Sequence, residues 1–307
     1  MDVLALIVMN VILPVFFLIG AGVFLHRKFT FDMNTLSKLN TYFLLPCVGF
    51  VNIYESSIGG AILLDTLGFL LLQSVCLITL STGMAKMANF DQSLSAAFKN
   101  SFVLSNSGNF GLPVSQLVFH QNPLGLSIQV VVTIFQNLLT YTYGLMNSVS
   151  GQSNGTKVLR ELLKNPMIYA LLLGLLFNTT AINIPSFIWA PIENSSNAFL
   201  AIALVTLGAQ SAYLELNRFS LPLVLSLSGR LILSPVIALL LILSLKLEGT
   251  TAQALLIASS FPTSRNSAQF ALEYGNHPEY AAQAVLMSTV FSSMTVTIVV
   301  YGSKMLF

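Results

Sequence analysis

The chain has 307 residues, 55% hydrophobic and only 8% charged, with a mean hydropathy of +0.80. Soluble domains carry roughly a quarter charged residues, so these figures exclude a soluble protein with a single anchor and describe a polytopic membrane protein. A net charge of +2 with no basic run excludes a nucleic-acid partner, and Cys47 and Cys76, with no His or Cys beside them, exclude a disulfide framework and a metal site.

A spanning helix needs about 20 apolar residues, and ten such stretches follow one another. Asp2 replaces the basic start of a cleaved signal and His26-Arg27-Lys28 follow the apolar run, so 3–25 reads as span 1. Span 2 is expected over 36–54 and span 3 over 62–84. Span 4, over 93–120, is interrupted at its centre by Ser105-Asn106-Ser107-Gly108-Asn109-Phe110-Gly111-Leu112-Pro113. Gly108 and Gly111 weaken a helix there, and Pro113 removes a backbone donor and crowds the turn before it.

Span 5 is expected over 124–147, followed by the longest polar stretch, 148–165, with Gly151, Ser153, Asn154 and Gly155. Pro166 opens span 6, over 166–183. Spans 7 and 8 are expected over 197–213 and 221–245. Span 9, over 251–274, carries a second break at Ser259-Ser260-Phe261-Pro262-Thr263-Ser264-Arg265-Asn266. Span 10 runs over 280–301, and Trp189 and Tyr301 suit the membrane interface.

Arg27, Lys28, Lys38, Lys86, Lys99, Lys157, Arg160, Lys164 and Arg218 fall on one side of this arrangement, against Lys246 and Lys304 on the other. The positive-inside rule makes the first side cytoplasmic, with both termini outside. The expected fold is all-α, with ten transmembrane helices in a plasma (inner) membrane. Residues 1–150 form a first five-helix repeat, 151–165 a cytoplasmic linker, and 166–307 a second repeat. An odd number of spans per half turns the second copy upside down. That predicts an inverted repeat whose broken fourth and ninth spans meet at the bilayer midplane.

In lipid, freed backbone groups are tolerated only where protein or a water-filled cavity satisfies them. The second halves of both broken spans start near Pro113 and near Thr263-Ser264, so two positive dipole ends with free N–H groups point at one region. Such ends bind anions, while the carbonyl ends of the first halves could hold a cation. Asn106, Asn109, Thr263, Ser264 and Asn266 add neutral donors and acceptors beside Pro113 and Pro262.

Arg265 has two readings. Its guanidinium matches a carboxylate in two-point contact, or it bonds the carbonyls of a broken helix. Arg230, in mid-span 8, is expected to pair with Asp65 or Glu273 or to line the cavity, its role structural or behind the residues that touch a ligand. Gln136 and Asn137 are candidate cavity residues in the same outer role. Asp65 lies near a span end and Lys99 can reach the surface. His26, His120 and His277 lack metal-ligand spacing. No nucleophile–base set, Walker loop or zincin motif is present, so an enzyme is not expected. No cofactor is expected either, and coupling to Na+ or H+ stays open.

At these breaks the chain resembles the auxin efflux carrier (AEC) family, which includes plant PIN carriers and bacterial malate and malonate permeases. The likeness rests on the stretch from Asn106 to Pro113, on Phe261-Pro262-Thr263, on Lys164-Asn165-Pro166 and on Leu45-Pro46. It implies a scaffold of helices 1, 2, 6 and 7 and a transport unit of helices 3–5 and 8–10. It further implies a homodimer through the scaffold, with Asn106 as the residue that holds the substrate carboxylate. The short 148–165 stretch is similar to bacterial members. The implied activity is secondary transport of a small organic anion, a mono- or dicarboxylate such as malate. The alternatives are an exporter of aromatic or other metabolite acids and a membrane anion sensor that does not transport.

Overall fold

The computed structural model describes residues 9, 13–55, 59–149, 163, 166–180, 182–212 and 219–307. Most of the linker over 151–165, the Lys164-Asn165 pair, the start of span 1 and Lys157, Arg160 and Arg218 lie outside the described residues, as does the side chain of Glu273. Within them the chain is helical, and the one β feature is an isolated bridge between Ser105 and Thr263.

We number the helices in chain order. α1 is Leu13–Phe29, and α2 covers 33–54 with a π turn at Asn40–Leu44. α3 is Gly60–Met87, α4 is Gln92–Val103 and α5 is Leu112–Val118 behind a π turn at Ser107–Gly111. α6 is Pro123–Ser148, with a π turn at Thr140–Gly144. α7 is Pro166–Thr179 and α8 Ser186–Ser211. α9 is Leu221–Leu245, with a π turn at Gly229–Leu233. α10 is Gly249–Ser259, α11 Arg265–Tyr274 and α12 Pro278–Leu306.

The π turns have a local cause in three cases. Asn40–Leu44, Ser107–Gly111 and Gly229–Leu233 each end two residues before a proline, namely Pro46, Pro113 and Pro235. A proline ring collides with the carbonyl four residues back and offers no N–H. Widening the preceding turn relieves the collision without ending the helix. The fourth, at Thr140–Gly144, has no proline near it and ends at Gly144, which packs on Leu104.

α3, α6, α9 and α12 are long and apolar enough to cross a membrane. α8 differs from expectation. It starts at Ser186, well before residue 197, and carries Pro191 inside it. Polar residues such as Glu193 and Ser195 hid this first half from a hydropathy reading. Trp189 lies in its first turn, against the ring of Tyr54 at 5.1 Å.

α1 and α8 touch backbone to backbone. A Cβ on Gly22 would lie 2.1 Å from Val205 O, and one on Gly208 would lie 1.9 Å from Ile19 O. Small residues that allow this approach replace the missing hydrophobic force between helices in lipid. α2 packs on α7 and α8 to complete that group, and the remaining helices pack mainly on one another. The largest buried apolar cluster joins α3, α5, α6 and α10, with Phe69, Val114, Ile128 and Phe261 in it.

The two ends of the helices are polar in different ways. At one end Asn276 Nδ2 donates to Ser148 O at 2.8 Å, and Ser93 Oγ to Asn276 Oδ1 at 3.2 Å. At the opposite end Asn122 Nδ2 donates to Thr250 Oγ1 at 2.9 Å, and Tyr54 Oη to Ile182 O at 3.1 Å. Arg27, Lys28 and Lys86 lie at the first end, which we call the basic end.

Candidate functional site

The two breaks cross each other. Residues 104–106, between α4 and the π turn before α5, run antiparallel to residues 262–264, between α10 and α11. Asn106 N–H donates to Pro262 O at 2.8 Å, and Ser264 N–H donates to Leu104 O at 2.8 Å. Each break therefore satisfies backbone groups that the other frees, which apolar surroundings require. Thr263 is locked behind this crossing. Its N–H donates to Ser288 Oγ at 3.0 Å and its Oγ1 to Ser101 O at 2.8 Å. Pro113 and Pro262 are likewise buried and shape the backbone rather than line open space.

Four helix ends meet here, two of each sign. α4 and α10 end with their carbonyls toward the crossing. α11, and the π turn leading into α5, begin there with their amides. The carbonyl ends are occupied by Arg230, only 2% exposed, from the π turn of α9. Its Nε donates to Phe261 O at 3.0 Å and its Nη1 to Val103 O at 3.2 Å. Its Nη2 donates to Ser259 O at 2.6 Å and to Ser234 Oγ at 2.9 Å. The carbonyl-bonded arginine that the sequence allowed for Arg265 is thus Arg230. Its bonds go to three carbonyls and a hydroxyl, and Asp65 is exposed elsewhere on α3.

The amide ends border a cavity of about 510 Å³. Asn106, Gly108 and Asn109 line it from the first break, and Ser264, Arg265 and Asn266 from the second. Ser264 caps α11, accepting from Asn266 N–H at 3.3 Å. Arg265 is partly buried in the wall, and no hydrogen bond or ion pair holds its guanidinium among the described residues. Asn137 of α6 also lines the cavity. Its neighbour Gln136 instead faces a separate small chamber of about 10 Å³ beside Arg230.

The cavity has walls that sequence reading passed over. Asn34, Lys38, Thr41 and Tyr42 come from α2, Thr140 and Tyr141 from α6, and Gln269 from α11. A signal was available. Lys38 with Tyr42, Asn137 with Tyr141, and Arg265 with Gln269 are each four residues apart and share a helix face. Thr41 and Tyr42, like Thr140 and Tyr141, sit in π turns, which turn side chains off the regular helical rows.

The cavity opens toward the basic end, where Met33 and Asn34 form part of its rim. Apolar rings also pack at the crossing, away from the cavity. Phe110 and Phe261 meet edge to face at 6.0 Å within the largest buried cluster. Among the described residues no group of three His, Cys, Asp or Glu could hold a metal ion. The arrangement offers an anion a cation, exposed helix amides and amide side chains, from one side only.

A family model described as "Membrane transport protein" matches residues 7–155 and 152–300. The chain is also similar to an "Uncharacterized transporter" of Methanothermobacter thermautotrophicus. The two are 22% identical over 299 residues, which is 95% of this chain and 93% of that one.

Proposed function

The chain belongs to the membrane transport protein family, the auxin efflux carrier (AEC) family of its sequence motifs, and from that premise we propose that it is a secondary transporter of small organic anions with its substrate site at the crossing of the two breaks. The observation that carries this reading is the Arg265 guanidinium, which borders a 510 Å³ cavity beside the Tyr141 hydroxyl with no hydrogen bond or acidic partner among the described residues. A partly buried arginine without an acidic partner is costly in an apolar setting, and a carboxylate offers it two parallel hydrogen bonds. Asn106, Asn109, Ser264 and Asn266 complete the site, and the amide ends of α11 and of the turn before α5 favour the same charge.

Lys38 on the rim adds a second cation, which favours a dicarboxylate such as malate over a monocarboxylate. Tyr42 and Tyr141 on the same walls favour instead an aromatic acid. Counting α4 with α5 and α10 with α11 as single broken spans supports a reading of ten spans in two halves of five, arranged as an inverted repeat. The positive-inside rule then makes the basic end cytoplasmic. On that reading the cavity opens inward, in a multi-pass plasma (inner) membrane protein with both termini outside. Access would alternate when the crossing moves against the group of α1, α2, α7 and α8, through which a homodimer would also form.

The test is counterflow of labelled malate and of labelled indole-3-acetate in vesicles carrying the purified protein. Saturable counterflow of either anion, reduced at least tenfold in Arg265→Gln, is the expected result and names the class. Binding of an anion without counterflow would make the protein a sensor. Neither binding nor flux for any small carboxylate would overturn the reading.

A further inference from the structure

Arg230 lies outside the cavity lining, and its guanidinium donates to four protein oxygens. Three carbonyls converge on its guanidinium. Val103 O and Ser259 O are the last carbonyls of α4 and α10, and Phe261 O belongs to the second break. These groups carry the negative ends of two helix dipoles, pointing into one buried spot. Unwound carbonyls and half-helix C-terminal ends at a midplane crossing are the usual ligands of a coupling cation. Ser234 Oγ, which bonds both the guanidinium and Ser259 O at 2.8 Å, supplies a fourth oxygen of the same kind.

We infer that Arg230 is a tethered cation that occupies the carbonyl cage of the crossing, so that anion binding at Arg265 requires no exchangeable Na+ or K+. The inference rests on the anion site proposed above and goes beyond it by assigning the ion. The cage leaves no room for a second cation. The adjoining chamber, lined by Gln73, Gln136 and Ser259, amounts to about 10 Å³ and has the guanidinium itself on its wall. A space of that size holds about one water molecule, and the like charge repels a metal ion.

Arg230 does not touch the cavity. It acts as a positioning residue, through the backbone. By holding Phe261 O and Val103 O it fixes the strands of the crossing on either side of Leu104 and Pro262. The bonds of those two residues to Ser264 and Asn106 in turn aim the amides at the cavity.

The experiment follows thermal unfolding of the purified full chain in NaCl, KCl and choline chloride at equal ionic strength, with and without malate, malonate and indole-3-acetate. A ligand that binds only the native state raises the midpoint. The wild type should show the same midpoint in all three salts and the same anion-induced shift. A Na+- or K+-specific rise, or an anion shift that needs either ion, overturns the inference. Arg230→Lys, which keeps the charge, should retain a cation-independent anion shift. Arg230→Met should lose at least tenfold in anion affinity in choline and regain part of it in Na+. A folded Arg230→Met that binds anion in choline as the wild type does would overturn the inference. If Arg230→Met does not fold, the wild-type salt series and Arg230→Lys still decide. If no anion shifts any variant in any salt, the anion site itself fails, whereas the cation arm still reads the cage.

Discussion

The crossing has two faces, and each owns one arginine. On the carbonyl face Arg230 is 2% exposed and makes four hydrogen bonds to protein oxygens. On the amide face Arg265 borders open space with no such bond among the described residues. The same side chain thus serves two ends, and the surrounding dipoles decide which. Where carbonyls converge, a cation is consumed internally and becomes structure. Where amides converge, a cation adds to a field of its own sign, which the proposed anion would neutralise. In a membrane the first arrangement satisfies the charge within the fold, and the proposed site leaves the second to a ligand.

This contrast can be broken by substitutions that should cost stability on one face and only binding on the other. The largest effect is expected at Gly229, next to Arg230. A Cβ there would lie 1.9 Å from the ring of Phe102, itself fully buried. Gly229→Val should destabilise by about 3 kcal/mol, the upper range for overpacking, seen as a large fall in unfolding midpoint and in folded yield. A variant as stable as the wild type would show that the carbonyl face yields easily.

Thr263→Val comes next. It removes the bond from Thr263 Oγ1 to Ser101 O while keeping the side-chain shape. A loss of about 1–2 kcal/mol in stability is expected, with anion affinity changed less than twofold in a binding titration. A tenfold loss of affinity would move Thr263 to the binding face. The smallest effect on stability belongs to Asn109, which lines the cavity. Asn109→Ala should leave the unfolding midpoint within a degree or two and weaken anion binding roughly fivefold, the equivalent of one hydrogen bond of about 1 kcal/mol. Equal losses in stability and binding would erase the distinction between the faces at this position.

The breaks themselves were legible because proline and glycine act locally. Pro113 with Gly108 and Gly111, and Pro262 among hydroxyl residues, disturb a helix whatever surrounds them. Pro46 and Pro235 carry the same kind of signal for the π turns of α2 and α9, although a spacing count alone reads both as plain spans. The roles of the two arginines were not legible. Arg230 sits in an ordinary apolar run, and its partner carbonyls are 29, 31 and 127 residues away. Charge and period say that such a residue must be satisfied, but not by what. The α2 wall of the cavity escaped for a related reason. Lys38 and Tyr42 fall within an expected span, and only the fold brings them to the same cavity as Arg265.

The bridge at the crossing also fixes an order of assembly. Ser101 and Thr263 are 162 residues apart in sequence and hydrogen-bond directly, so the first break is completed by a segment that the ribosome delivers much later. Until then the groups at 104–106 have no partner from the second half, in surroundings where each such group costs several kcal/mol. The first half of the chain must therefore wait in the membrane in some other arrangement, and the joint between the two breaks is among the last parts of the protein to be built.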